Sequence, residues 1–162
     1  MSVLSTVLPG LPADTDFTFS ERPTFVGPGE RLSYRLAMVV ASLGECSGKR
    51  SSYGRLALLS FAARSLKLRA ILTRVARRIA NPTDVAVRFD PFLPRVLDIA
   101  VATGLINYLD PGPRFALASS GESLRAVIIS EDLFATERVF FASVADSLTE
   151  QAIRRIVSGV DF

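Results

Sequence analysis

The sequence predicts a mainly α protein with a small β-hairpin, built as a winged-helix-like domain with additional N- and C-terminal helices. Three observations carry this expectation. Between Asp90 and Gly121 the chain passes through a helix cap, a glycine stop at Gly104, an alternating stretch, the turn Asp110-Pro-Gly-Pro113, a second alternating stretch and a new helix start. Upstream, from Arg31 to Ile79, apolar residues recur at the 3.6-residue period of helices packed on one side. The 162 residues amount to about one domain and suffice to bury on the order of 70% of the unfolded surface.

Residues 1–29 hold four of the nine prolines and no helical period, and read as an extended arm with a short alternating piece at Phe17-Thr-Phe19. Gly27-Pro-Gly29 turns the chain into the winged-helix-like domain, residues 30–146. Its first helix runs from Arg31 to Leu43, with Leu32, Leu36, Val39, Val40 and Leu43 on one face, and Gly44 ends it. Ser47-Gly-Lys-Arg-Ser-Ser52 reads as a loop before a second helix, about Tyr53 to Arg64. A third helix, about Leu66 to Ile79, sets Leu68, Ile71, Leu72, Val75 and Ile79 within one arc of roughly 100°.

Asn81-Pro-Thr-Asp84 breaks the chain, and Val85-Ala-Val-Arg-Phe89 alternates like a strand. Asp90 then supplies an N-cap and Pro91 the first helical position, where its missing N–H costs nothing. The helix that follows is expected to bury Phe92, Val96, Leu97 and Ala100. Leu105–Leu109 and Arg114–Leu117 flank the proline–glycine turn as a hairpin. Ser119 with Glu122, and Ser147 with Glu150, match capping boxes. The second opens an amphipathic C-terminal helix, residues 147–162, expected to pack on the domain or on a partner. Between the two boxes Leu133, Phe134, Phe140, Phe141 and Val144 keep helical spacing.

Much chemistry is excluded. The chain has no histidine, which removes Ser-His-Asp and Cys-His nucleophilic arrangements and imidazole metal sites. No glycine is followed by Lys-Ser or Lys-Thr, so there is no P-loop. The single cysteine, Cys46, permits no internal disulfide and no thiolate metal cluster, and reads as a silent, partly buried residue. The expectation is a chain that is not an enzyme, with no catalytic residue, cofactor or metal. No apolar run reaches the roughly 20 residues that cross a bilayer. With no basic residue before Arg22 to mark a secretory signal, the expected location is cytoplasmic, away from membranes.

Charge supplies the positive information. From Cys46 to Thr83 there are nine basic residues and no acid, whereas Ser119 to Glu150 is predominantly acidic. The run nominates Lys49, Arg50, Arg64, Lys67, Arg74, Arg77 and Arg78 as contacts for nucleic acid or an acidic protein, the alternative being a plain solvated face. The helix from Asp90 to Thr103 has only Arg95, offset by Asp90 and Asp98, which argues against base reading by that helix. A hydrophobic fraction of 49% points to apolar surface covered by a partner. The residues nominated for that interface are Phe134, Phe140, Phe141, Ile153, Ile156 and Val157.

Arg35-Leu-Ala-Met-Val-Val-Ala-Ser-Leu43, Tyr53-Gly-Arg-Leu-Ala-Leu-Leu-Ser-Phe-Ala-Ala-Arg-Ser65, Val87-Arg-Phe-Asp-Pro91, Gly104-Leu-Ile106 and Arg114-Phe-Ala-Leu-Ala-Ser-Ser-Gly121 complete the pattern. In this order they resemble the middle component of bacterial three-component ABC defence systems, over roughly Leu32 to Gln151. That resemblance implies a non-catalytic, Lamassu-like adaptor subunit that bridges an SMC-like or ABC ATPase to an effector in an anti-phage complex. It implies no catalytic residues. Apolar helix faces, the C-terminal helix among them, would dock on the ATPase, and the basic helices would approach double-stranded DNA held by the complex. The alternative is a free-standing winged-helix transcriptional regulator binding operator DNA as a dimer, so a second copy of the chain joins the candidate partners.

Overall fold

The computed structural model describes Gly27, residues 31–82, Val85 and residues 90–158. The expected arm over 1–29 and the strand over Val85–Phe89 lie outside the described residues, apart from Gly27 and Val85. Within them the fold is mainly helical, with a small antiparallel sheet. The order is α1 (Leu32–Gly44), a 3-10 turn (Ser47–Lys49), β1 (Arg50–Ser52), α2 (Tyr53–Ala63), α3 (Leu66–Ala76), α4 (Leu93–Ala102), β2 (Ile106–Leu109), β3 (Arg114–Leu117), α5 (Ser119–Ser130), α6 (Ala135–Val144) and α7 (Glu150–Ser158).

Strand β3 lies between β1 and β2, pairing Ser51 with Phe115 on one side and Tyr108 with Phe115 on the other. The expected hairpin is therefore part of a three-stranded sheet, and half of the expected loop over 47–52 is a strand. Helix α1, strand β1, helix α2, helix α4 and the β2–β3 hairpin follow one another in winged-helix order, with α3 and the segment after it inserted between α2 and α4. The turn is held on the side that leads into β3: the Arg114 N–H donates to the Gly112 carbonyl at 2.8 Å, and the Tyr53 N–H to the Pro113 carbonyl at 2.8 Å. The Asp110–Pro111 peptide is cis.

Two cores share α1 and α2. Met38, Val40 and Ala41 of α1, with Leu58, Leu59 and Ala62 of α2, face a core completed by α3, α5, α6 and α7. Val39 and Leu43 of α1, with Leu56 and Ala57 of α2, face a second core with Leu93, Val96, Leu97 and Ala100 of α4 and Ile106 and Phe115 of the sheet. An α-helix that is apolar on most sides, as Met38–Leu43 is, can only be satisfied by burial on both. Gly121 joins the halves. A Cβ there would run into the Leu105 carbonyl oxygen, which already accepts the Ala118 N–H at 3.0 Å, so the first turn of α5 sits directly on the base of the hairpin.

Several helix ends differ from expectation. Asp90 does not cap α4: its Oδ1 accepts the Phe92 N–H at 3.0 Å, and the helix starts at Leu93 with Pro94 in its first turn. Phe92, expected inside, is 60% exposed. Ser119 is already helical and Ala118 occupies the cap position with no side-chain bond, so the first capping box does not form. For α7 the cap is Thr149, whose Oγ1 accepts the Ala152 N–H at 3.1 Å, in place of Ser147. Helix α3 ends at Ala76, which leaves Ile79, expected inside, 64% exposed.

Three C-termini close in the same way, the residue beyond the cap adopting a left-handed conformation while paired backbone N–H groups reach back to the last turn. In α4 that residue is Gly104 (φ 70°), with Leu105 bonding the Ala100 carbonyl at 2.9 Å. In α3 it is Arg78 (φ 59°), with Ile79 bonding the Arg74 carbonyl at 2.8 Å, and in α5 it is Asp132 (φ 48°). Only the glycine adopts this conformation without steric cost.

Candidate functional site

The apolar residues nominated for an interface are largely interior. Phe140, Phe141, Ile153 and Ile156 belong to the first core, with Phe141 fully buried and Ile156 1% exposed, and Phe134 and Val157 pack half-buried against it. This corrects the expectation, because their apolar surface is already used within the chain. The C-terminal helix is docked on α2, where the Arg55 Nη2 donates to the Leu148 carbonyl at 2.9 Å and Ile153 lies over Gly54. Phe134 has left-handed backbone (φ 54°) and stacks edge-on against Tyr34 with ring centroids 5.2 Å apart.

The basic run divides into two groups. Lys49 pairs with Glu122, Arg64 with Asp90, Arg55 with Glu150 at 3.5 Å and Arg69 with Glu137 at 2.5 Å, each tying one element to another. Lys49 and Arg64, nominated as contacts for a partner, thus serve internal pairs. Arg50 is exposed on β1. Lys67 and Arg74 on the outer face of α3, and Arg77 and Arg78 in the turn that closes it, are exposed and make no ion pair with an acid among the described residues.

A second site is built where α1 meets the start of α4. The Asp90 carboxylate is 8% exposed and receives Arg35 at 2.5 Å and Arg64, in addition to the Phe92 N–H. Burial pushes its pKa up, but the Phe92 N–H and the Arg64 and Arg35 guanidiniums outweigh burial and hold it below the usual value of 3.8. The Arg35 guanidinium lies 5.2 Å from the Phe92 ring centroid, a cation–π arrangement. Asp90 therefore fixes both the backbone that presents Phe92 and the cation beneath its ring. Beside it a groove of about 380 Å³ is lined by Leu32, Arg35, Phe92, Arg95, Val96 and Ile99. Leu32 is 45% and Val101 37% exposed, so the outer face around α4 is apolar, with Arg95 and Asp98 as its charges.

Periodicity missed this patch because it placed Phe92 inside. The signal was the pair of prolines at 91 and 94: the first delays the helix, so Phe92 precedes it and points away from the core. Chemistry is sparse elsewhere. The Cys46 thiol is buried, which pushes its pKa up, and its Sγ donates to the Ser42 carbonyl at 3.3 Å. Among the described residues no cluster of acids and cysteine is placed to hold a metal ion, and no helix is long and apolar enough to cross a membrane.

The described residues thus form a mainly α, winged-helix-like fold that presents an apolar and a basic surface. No family model matches the chain, and neither a curated protein nor a solved structure is significantly similar to it.

Proposed function

We propose that this chain is a non-catalytic adaptor that docks a protein through the apolar face of α4 and the adjoining groove. Following the resemblance of its motifs, the partner is the SMC-like or ABC ATPase of a cytoplasmic three-component anti-phage system, which the chain bridges to an effector. The supporting observation is Phe92: an exposed aromatic held rigid by Asp90 and Arg35, at the edge of an apolar groove, is the kind of preorganised anchor on which interface energy concentrates. A position-equivalent helix that reads bases would carry several arginine, lysine, asparagine or glutamine side chains outward, and this one offers Arg95 alone.

Co-expression with the neighbouring reading frames tests the proposal. A large ATPase is expected to co-purify with the wild-type chain and to be lost from the exposed-face variant Phe92→Glu/Val101→Glu, whose circular dichroism stays that of the wild type. If no ATPase co-purifies, or if the variant retains it, the reading is wrong. The winged-helix order itself favours the second reading, a dimeric operator-binding regulator. That protein would bind one DNA sequence tightly when alone, and Arg95→Ala would relax its sequence preference.

A further inference from the structure

We propose that α3 and its closing turn form a contact surface for the phosphate backbone of double-stranded DNA, through Lys67, Arg74, Arg77 and Arg78. The proposal extends the docking reading and does not depend on an ATPase partner. Its basis is the division of the basic run: four of its cations are paired across the fold, in Lys49–Glu122, Arg55–Glu150, Arg64–Asp90 and Arg69–Glu137, Arg50 stands apart on β1, and the four on α3 and its closing turn face solvent together. Glu137, the acid of α6 facing α3, is occupied by Arg69 and Thr136.

Helix-end electrostatics explain only part of the pattern. Arg74, Arg77 and Arg78 sit at the negative end of the α3 dipole, where cations are favoured, but Lys67 stands in the first turn, where they are disfavoured and where no acid offsets it. Charge is thus carried along the whole outer face. Lys67 and Arg74 are seven residues apart, about 10 Å along the axis, and Arg77 and Arg78 extend the line by roughly another 5 Å. A duplex offers one charge per 1.7 Å of its axis, so a straight stripe of that length meets several phosphates.

The remaining outward residues of α3 choose the nucleic acid. They are Leu66 and Ala70, with Ile79 beyond the turn. Among the described residues the outer face of α3 carries no aromatic ring, so it offers no platform for stacking unpaired bases. A duplex, whose phosphates are regularly spaced along a rigid axis, is thus favoured over an unpaired strand.

The test is fluorescence anisotropy of the full chain with a random-sequence 25-base-pair duplex between 50 and 200 mM KCl. Four phosphate contacts give a slope of log K against log salt of about −3.6. Lys67→Gln/Arg74→Gln, which alters only exposed positions within the helix and leaves the left-handed Arg78 in place, should reduce that slope by about two and weaken binding at least tenfold at 50 mM. An Arg50→Gln variant, changed on β1 outside the stripe, should bind as the wild type does. No duplex binding at 50 mM, an unchanged slope in the double variant, or tighter binding of an equally long single strand would overturn the proposal. Tighter binding of poly-glutamate than of the duplex would overturn it in favour of an acidic protein partner. The ATPase co-purification is unaffected by any of these outcomes, so the two readings fail separately.

Discussion

Helices α3 and α4 are nearly equal in length, both rest on the α1–α2 pair, and both end in the same type of left-handed turn, yet they present opposite surfaces. Helix α3 turns Lys67 and Arg74 outward and closes on Arg78; α4 turns Pro94, Arg95, Asp98 and Val101 outward and closes on Gly104. In a winged helix the helix before the hairpin is the usual reader of DNA. Here the helix in that position offers a single cation, Arg95, offset by Asp98, and the inserted helix is basic. On the proposed reading, place within the fold sets that a helix docks, and the chemistry of its outer face sets on what.

The largest predicted effects concern the cores that hold the two helices. Phe141→Ala in the first core and Leu97→Ala in the second should each cost about 3–5 kcal/mol. Because α1 and α2 belong to both cores, each variant should still melt in a single transition by calorimetry. Two separated transitions would show that the halves are independent units. Gly121→Ala should cost about 2–3 kcal/mol by forcing α5 away from the Leu105 carbonyl, which denaturant titration would measure.

A smaller effect distinguishes the anchor beneath α4. Asp90→Asn should cost about 1–3 kcal/mol at neutral pH, because two guanidiniums lose their charged acceptor. The sign of the pH dependence follows from the lowered pKa: the Asp90 contribution is complete above its unfolded value, near pH 4, and is lost as pH falls through the lower folded value. Glu137 is shifted the same way: burial raises it, and its bonds from Arg69 and Thr136 more than offset that. Acid titration of Asp90→Asn should thus run flatter below pH 4 than that of the wild type, and flatter again when Glu137→Gln is added. The smallest effect, and the one that most sharpens the contrast, is Arg78→Gly. It should stabilise the chain by about 0.5–1 kcal/mol, seen as a raised Tm, while weakening duplex binding.

The elements with long apolar periods were legible in the sequence. Helices α1, α2, α3 and α6, the Gly104 stop and the hairpin lie within a few residues of expectation, because burial on one face leaves a repeating trace. Strand β1 was illegible. Three polar residues carry no alternation, and what makes Arg50–Ser52 a strand is its pairing with β3, 62 or more residues away in the chain. The caps were misplaced because Ser, Thr and Asp occur at nearly adjacent positions, and only packing decides which of Ser147 and Thr149 meets the helix.

The surfaces were legible in charge and not in shape. The basic run announced itself, but that Lys49 and Arg64 would be spent on Glu122 and Asp90 depends on contacts across the fold. Hydrophobicity alone nominated Phe140, Phe141 and Ile156, since a residue fit for a partner and one fit for the core are the same residue in a sequence. Phe92 is distinguished by the prolines on either side, a local constraint that overrode its apparent helical period.

The burial of α1 and α2 on both sides also governs how such a protein can diverge. Every substitution at Val39, Val40, Leu56 or Leu59 is felt by one packed core or the other, so the stretches Met38–Leu43 and Leu56–Leu59 have no face on which to accept change. The outer residues of α3 and α4 touch neither core. The chemistry of one surface can therefore be rewritten without disturbing the other, and a lineage built on this frame would keep its centre while its two outer faces diverged.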